Sequence, residues 1–291
     1  MDGADEALQS QVGGSIEDVR SSTNTYIIHQ HALLFGGVAI LCLAISAVSG
    51  YEIYLLYLAN PAAFDARIII LPILPILGIS WLYNYYRLRV QHLFVEQIAS
   101  TLGYTYEESA PVESVVGTSL AIGHSQRVYD VISGTYHSYP VRIFTYQYTV
   151  GYGKNARTYT KAVFELTYTN ALPHIILKPA SWTNEFGSVA GMSTVNLEGD
   201  FGKHFTLLVG NDAQVQAREI FEPDIMQDLI QKFSGYNCEI VGNKVYLTRT
   251  GPIYKREDFL ELHDLADNFT DKVIPGLRSA AEDQVPAPAA M

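Results

Sequence analysis

The chain has 291 residues, of which 48% are hydrophobic and only 17% are charged, and its formal net charge is −11. Soluble proteins carry about 25% charged residues on average, so this chain is poor in charge. An acidic chain lacks the basic domain that nucleic-acid binders present, and its apolar content argues against a disordered protein. Two cysteines cannot form a disulfide scaffold.

Two long uncharged stretches near the N-terminus predict membrane-spanning helices. The first, residues 32–49, reaches 20 residues with one uncharged flanking residue on each side. At 1.5 Å per residue, that length crosses a hydrocarbon core of about 30 Å. The second stretch covers residues 68–83. We therefore predict a disordered acidic tail at 1–24 and a transmembrane helical hairpin at 25–86, with its helices at about 31–57 and 67–86.

Aromatic residues follow the first stretch and end the second, where amphipathic rings would meet the lipid headgroups. These residues are Tyr51, Tyr54 and Tyr57 after the first stretch, and Trp81, Tyr83, Tyr85 and Tyr86 at the end of the second. The alternatives are buried helices of a soluble core or, for the first stretch, a signal peptide. A signal peptide begins with a basic region, whereas residues 1–31 contain five acids and one base. The pattern therefore favours a retained membrane helix.

Basic residues near the membrane set the orientation of such a hairpin. Arg20, Arg87 and Arg89 lie outside the two predicted helices on the terminal side, and only Arg67 lies in the loop between them. This difference predicts that both termini are cytoplasmic. The predicted localisation is the cell (inner) membrane, with a multi-pass topology.

Residues 87–279 predict a soluble α+β domain with a mainly antiparallel sheet and C-terminal helices. An apolar stripe from Val90 to Leu102 predicts a helix that continues the second membrane helix and ends at Gly103. Strands followed by helices in separate blocks are typical of antiparallel sheets. The predicted strands are Arg127–Ile132, Tyr139–Val150, Arg157–Tyr168, His174–Lys178, Thr194–Glu198, His204–Val209, Cys238–Val241 and Lys244–Thr248. The predicted helices are Asp212–Phe221, Pro223–Phe233 and a last one over 259–273 that Pro275 ends. Residues 280–291 are predicted to be a disordered tail.

Local motifs of catalysis or metal binding are missing from the sequence. None of the eight histidines lies in a His-Glu-x-x-His motif, no cysteine pair has zinc spacing, and no serine-nucleophile motif is present. We therefore predict no catalytic, cofactor-binding or metal-binding residues and no cofactor. Asp130 lies in an apolar strand, where strand alternation favours a solvent-facing position over an acid–base role. The Gly151–Asn155 loop predicts a hairpin rather than a phosphate loop, because the Gly-Lys-Ser/Thr ending is missing.

Two surface features leave a binding role open. The last helix carries an acidic run, which we interpret as a solvated face with docking of a basic partner as the alternative. Tyrosines alternate along the long hairpin, where cross-strand packing is favoured over a peptide-binding face. The acidic run is Glu257, Asp258, Glu261, Asp264, Asp267 and Asp271, and the tyrosines are Tyr139, Tyr146, Tyr148, Tyr152, Tyr159 and Tyr168.

A resemblance rests on four segments: Tyr129–Gly134, Ile143–Tyr148, Leu197–Phe201 with Phe205, and Ile220–Met226. In this order, behind two membrane helices, they resemble a family of uncharacterised prokaryotic membrane proteins with two N-terminal transmembrane helices and a cytoplasmic α+β domain of unknown function. The similarity covers roughly residues 85–250. It implies the topology and offers no catalytic residue to transfer.

Together these patterns predict a two-pass membrane protein that presents a cytoplasmic α+β interaction or sensing module. Its predicted partners are the lipid bilayer and either another protein or a second copy, with no nucleic acid. The alternative is a membrane-anchored enzyme whose active site is assembled from distant residues, so enzymatic activity is left open. A channel subunit is disfavoured, because no ionisable residue lies deep in either predicted span.

Overall fold

A computed structural model describes residues 36–61, 73–182, 189, 191–211, 213–253 and 256–282. The chain divides into two compact units, Met1–Thr101 and Leu102–Met291. The helices are α1 (Gly36–Ala59), α2 (Ile73–Leu102), α3 (Phe201–His204), α4 (Gln214–Ile220), α5 (Pro223–Lys232) and α6 (Arg256–Glu282). The strands are β1 (Thr105–Ala110), β2 (His124–Tyr136), β3 (Tyr139–Val150), β4 (Arg157–Thr167), β5 (Ile175–Pro179), β6 (Met192–Val195), β7 (Phe205–Gly210), β8 (Tyr236–Val241) and β9 (Lys244–Thr250).

Helix α1 is the one helix of the described ranges that is long and apolar enough to cross a membrane. It has 24 residues and a mean hydropathy of 1.8, and none of its apolar window is buried in the protein. Ile40 is 70% exposed and Val48 is 61% exposed. The predicted hairpin is not confirmed, because the loop and the start of the second predicted span lie outside the described residues. The predicted tail at 1–24 also lies outside them.

Helix α2 runs without a break from Ile73 to Leu102, which confirms that the apolar stripe continues the helix before it. Its first half exposes large apolar side chains, among them Leu77 and Trp81. Its second half buries a single stripe that consists of Gln91, Phe94, Val95, Ile98 and Ala99. Gly103 follows with a φ of 69°, the left-handed conformation that commonly ends helices.

One nine-stranded sheet forms the centre of the second unit, in the order β1-β2-β3-β4-β9-β8-β5-β7-β6. Every neighbouring pair is antiparallel, so the predicted α+β class with an antiparallel sheet is confirmed. The hairpin turn predicted at Gly151–Asn155 is also present, and Gly242–Asn243 forms the turn between β8 and β9. Sequence reasoning missed β1, whose residues are mostly polar and exposed.

Different elements pack on the two faces of the sheet. Side chains alternate across a strand, so Glu165, Tyr246 and Glu239, which are neighbours in register, share one face. Phe164 and Leu247 lie on the opposite face, which we call the helix face because α6 contacts both β4 and β9 there. Phe259, Leu262, Ala266 and Phe269 of α6 are buried. We call the other face the strap face, after the segment described below.

Helix α6 corrects the prediction that Pro275 ends the last helix. The helix continues through Pro275 to Glu282, and Pro275 is exposed. Proline removes one backbone hydrogen bond and crowds the carbonyl four residues earlier, which bends a helix without always ending it. Residues 280–282 of the predicted C-terminal tail are therefore helical, and the rest of that tail lies outside the described residues.

Strand β2 corrects the prediction for Asp130. Tyr129 pairs with Thr145 and Ile132 pairs with Ile143, so two residues of β2 face one residue of β3 and the strand bulges. Asp130 takes a φ of 54° in this bulge and is only 2% exposed. Tyr106 donates a hydrogen bond of 3.0 Å to its Oδ1. The bulge interrupts the alternation, so the solvent-facing position predicted from that alternation is wrong.

Candidate functional site

The segment that joins β1 to β2 crosses the strap face, and we call residues 111–122 the strap. Leu120 anchors it in a cluster of buried side chains that includes Val128, Phe144, Tyr146, Val163 and Tyr246. At Gly117 a Cβ would lie 3.1 Å from Glu239 Oε2 and 3.4 Å from Leu120 and Tyr246. Glycine therefore lets the strap backbone approach the sheet closely.

Glu239 fixes the middle of the strap. It is fully buried, and its two carboxylate oxygens accept hydrogen bonds from the backbone N–H groups of Thr118 and Ser119, each at 2.7 Å. Burial by itself raises the pKa of Glu239, but hydrogen bonds from His174, Ser119 and Thr118 outweigh it, so the pKa is lowered overall. The carboxylate is therefore ionised at neutral pH, and its buried charge is compensated by the strap.

Two buried tyrosines hold the strap on either side of Glu239. The hydroxyl of Tyr146 donates to the backbone oxygen of Leu120 at 2.6 Å, and the backbone N–H of Val116 donates to the hydroxyl of Tyr246 at 3.2 Å. Burial raises the pKa of Tyr146 to about 12 and also raises that of Tyr246. Both phenols are therefore neutral, and both form hydrogen bonds with the strap backbone.

Glu165 is a second buried carboxylate on the strap face. Lys244 donates to its Oε1 at 2.9 Å, and Arg142 lies 3.4 Å from the same oxygen. Both cations also reach Ser114 of the strap, because Arg142 donates to its hydroxyl at 3.0 Å and Lys244 to its backbone oxygen at 3.4 Å. The ionic cluster thus fastens the start of the strap.

His174 lies at the partly exposed end of this arrangement, with 31% of its side chain exposed. Its Nε2 is 3.4 Å from Glu239 Oε1 and 3.5 Å from Thr118 Oγ1. In a nucleophilic relay the imidazole uses one ring nitrogen for the carboxylate and the other for the hydroxyl. Here the same nitrogen faces both groups, so these three residues are not arranged as a relay. Their contacts hold the strap against the sheet.

A separate group of side chains can hold a metal ion. His263, Asp264 and Asp267 of α6 place one ligand atom each within 4.8 Å of one another. His263 Nδ1 lies 3.3 Å from Asp267 Oδ2, and His137 Nε2 lies 3.4 Å from Asp267 Oδ1. His137 belongs to the turn between β2 and β3, so two distant parts of the sequence meet at one carboxylate.

The tip of the hairpin between β3 and β4 exposes an aromatic and an aliphatic side chain. Tyr152 is 79% exposed and Val150 is 40% exposed. The ring of Tyr152 stacks on His124 with a centroid distance of 4.5 Å, and His124 Nε2 lies 2.8 Å from the backbone oxygen of Gly151. The tip therefore exposes an amphipathic aromatic surface that consists of two stacked rings.

A shallow groove lies between α5 and α6, lined by Leu229, Lys232, Phe233, Asn268 and Val273 among others. Its volume of about 10 Å³ holds about one water molecule, compared with about 300–1,000 Å³ for pockets that bind small organic ligands. Lys272 of this groove forms an ion pair with Asp228. The groove is thus part of the packing between these two helices.

The tyrosines and the acidic run have several roles rather than one. Tyr148 stacks on Tyr159, its partner in the register, and Tyr139 packs against Tyr168, which is the cross-strand packing favoured by the sequence. In the acidic run, Asp258 and Glu261 both pair with Arg249. Asp267 faces two histidines. Glu261, Asp264 and Asp271 are exposed, as the interpretation of a solvated face expects, so the run combines a solvated part with paired carboxylates.

Glu239, Glu165 and His174 were not singled out from the sequence. The available signal was a single carboxylate inside each of two apolar strands, in Ala162–Thr167 and in Asn237–Val241. A charge at such a position is buried only when it is paired or hydrogen-bonded. The sequence could thus have indicated two buried polar sites, although not their partners more than 100 residues away in the case of Glu239.

The chain has only weak similarity to known proteins. No family model matches the chain, and no curated protein matches it. Among solved structures, the chain is similar to the "crystal structure of the mycobacterial trehalose monomycolate transport factor A, TtfA", with 11% sequence identity and a TM-score of 0.42. The similarity covers 68% of this chain and 96% of the other. At this level it says nothing about the function of the chain.

Proposed function

We propose that the chain is a membrane-anchored protein whose α+β unit is an interaction module. The observation that carries this proposal is helix α1, which has 24 residues, a mean hydropathy of 1.8 and no buried part in its apolar window. In water such a helix would leave a continuous apolar surface exposed, which soluble proteins avoid. In a bilayer the same surface contacts lipid, so the free-energy cost of exposing it to water is absent.

The start of α2 supports a second membrane crossing. Leu77, Trp81 and Tyr83 are all more than half exposed, and Trp81 stacks with Tyr85 at 6.1 Å, as an aromatic belt at a membrane interface would. We therefore propose a two-helix hairpin that places both termini in the cytoplasm. This orientation rests on the excess of arginines on the terminal side.

The tip of the β3–β4 hairpin is the surface where we expect another protein to bind. Tyr152 and Val150 are exposed there, and the stacked His124 holds the aromatic ring in one orientation. Aromatic side chains fixed in this way lose little conformational entropy on binding, and for this reason tyrosine is frequent at binding hot spots. His174, Glu239 and Thr118 are not arranged as a nucleophilic relay, and this geometry further favours a binding role over hydrolysis by these three residues.

Photo-crosslinking in membranes tests this function. A benzoyl-phenylalanine at position 152, in the full chain, is expected to give a covalent adduct with another protein in the membrane fraction. The same probe at Val215, which is 69% exposed on α4, is the control and is expected to give none. Failure to form an adduct at 152, identical adducts at both positions, or recovery of the chain outside the membrane fraction would contradict the proposal.

A further inference from the structure

We propose that His263, Asp264 and Asp267 bind one divalent transition-metal ion of the zinc type, with His137 as the residue that positions Asp267. The three ligand residues lie close together on α6, where Asp267 is four positions after His263 and three after Asp264, spacings that bring side chains to the same side of a helix. His263 is 13% exposed and Asp267 is 21% exposed, while Asp264 faces solvent. An ion can thus enter from the solvent side.

One distance in this group is compatible with a metal site. Charge-assisted N–H···O hydrogen bonds measure about 2.7–2.9 Å, whereas His263 Nδ1 lies 3.3 Å from Asp267 Oδ2. In tetrahedral zinc sites with bonds of about 2.0–2.1 Å, neighbouring ligand atoms are about 3.3–3.4 Å apart. The spacing of this pair is therefore compatible with two adjacent ligands of one ion, and all three ligand atoms lie within 4.8 Å of one another.

His137 reaches the other oxygen of the same carboxylate, at 3.4 Å. Carboxylates that bind metals are often oriented by a further hydrogen bond, and the loss of such a partner weakens binding. His137 and Ser138 form the two-residue turn between β2 and β3, and both have positive φ angles, 46° and 71°. Neither is glycine, so both residues adopt an unfavourable backbone conformation. In this conformation the imidazole of His137 lies against Asp267.

The ligand types select the class of metal. Imidazole nitrogen favours zinc and its transition-metal neighbours, whereas magnesium and calcium prefer ligand sets made only of oxygen. One imidazole and two carboxylates supply three ligands, which leaves a fourth position of a tetrahedral ion open to solvent. The site is thus of the kind that holds zinc with an exchangeable water.

The test is calorimetric titration of the full chain, in detergent and stripped with a chelator, with Zn²⁺ alone. Wild-type protein is expected to bind one ion, and zinc is expected to raise its thermal unfolding midpoint. Asp264→Asn and His137→Asn are each expected to weaken binding about 10–100-fold. Both variants are chosen to preserve the fold, because Asp264 is exposed and asparagine tolerates the positive φ of position 137.

The matched control is His124→Asn, which removes an imidazole from the β3–β4 tip without touching the site; its zinc affinity should equal that of wild type. Absence of zinc binding by wild-type protein would overturn the proposal. Equal affinities in wild type, Asp264→Asn and His137→Asn would do so too. A loss of stability in these variants that is the same with and without zinc would show a purely structural cluster and would also overturn it.

Discussion

At the scale of single residues, Glu239 has the largest predicted effect on stability. Its carboxylate holds two strap N–H groups, and both bonds are assisted by its charge. Glu239→Gln keeps one acceptor oxygen and places an NH₂ group against the other N–H. We expect the free energy of unfolding to fall by about 2–3 kcal/mol. Denaturant unfolding of the full chain in detergent measures this loss, with the exposed Glu222→Gln as the control, for which we expect no change.

The same residue makes stability depend on pH. The pKa of Glu239 is lowered in the folded state, so its contribution is fully present above the ordinary value of 4.5 and is lost as the pH falls through the folded pKa. One such group changes the unfolding free energy by up to about 1.4 kcal/mol per pH unit. Wild-type protein should therefore lose more stability than Glu239→Gln on acidification below pH 4.5. Parallel pH profiles of the two proteins would contradict this assignment.

Residue positions inside the sheet were predictable only where the strand stays regular. Phe144 and Phe164 follow the alternation and are buried as apolar strand residues should be. Asp130 departs from it because a bulge shifts the phase, and a single aspartate gives no sign of a bulge in the sequence. The strap partners of Glu239, Thr118 and Ser119, were not predictable either, since they come from a segment that carries no strand or helix pattern.

At the scale of elements, the strap depends on a glycine that lies against the sheet. A Cβ at Gly117 would meet Glu239 Oε2 at 3.1 Å, so Gly117→Ala is expected to push the strap outward and to cost about 1–3 kcal/mol. Gly202 in α3 has no heavy atom within 4 Å of such a Cβ and has no positive φ. Gly202→Ala is the matched control, and we expect it to be neutral or slightly stabilising.

Thermal unfolding of both variants distinguishes the two sites. A lower thermal unfolding midpoint for Gly117→Ala alone supports close packing of the strap against the sheet. Equal midpoints for Gly117→Ala, Gly202→Ala and wild type would show that the strap yields to an added methyl group without cost.

Element prediction succeeded where hydrophobic periodicity was strong. Strand β3 was predicted with its observed ends, since β-branched and aromatic residues fill it between two turns. Strand β1 was not predicted, because it lies at the sheet edge, where Glu107 and Glu108 can face water. The end of α6 was misplaced because Pro275 occupies an exposed position, at which a helix can bend around the ring and continue.

At the scale of the whole molecule, the proposed hairpin predicts how the chain is labelled across the membrane. In a Cys42→Ser, Cys238→Ala background, single cysteines are introduced as Ala63→Cys and Gln284→Cys. A membrane-impermeant maleimide added to intact cells is expected to label position 63 alone, because both termini are proposed to be cytoplasmic.

After cell lysis, both cysteines should react, which controls for their accessibility. Labelling of position 284 alone in intact cells would reverse the orientation. Reaction at both positions, or at neither, would place them on one side of the membrane and contradict a second crossing between them.

The strand order of the sheet has a consequence for how the protein folds. Strands β1 to β4 are neighbours in both sequence and space, so this half closes through the strap and two short turns. It joins the other half along the pairing of β4 with β9, where Thr167 meets Lys244. That contact closes a loop of about 80 residues. The conformational entropy of this loop must be lost before the pairing of β4 with β9 contributes any stabilising free energy. We expect the seam between β4 and β9 to form late, after two partly ordered halves, and to set the rate at which the sheet is completed.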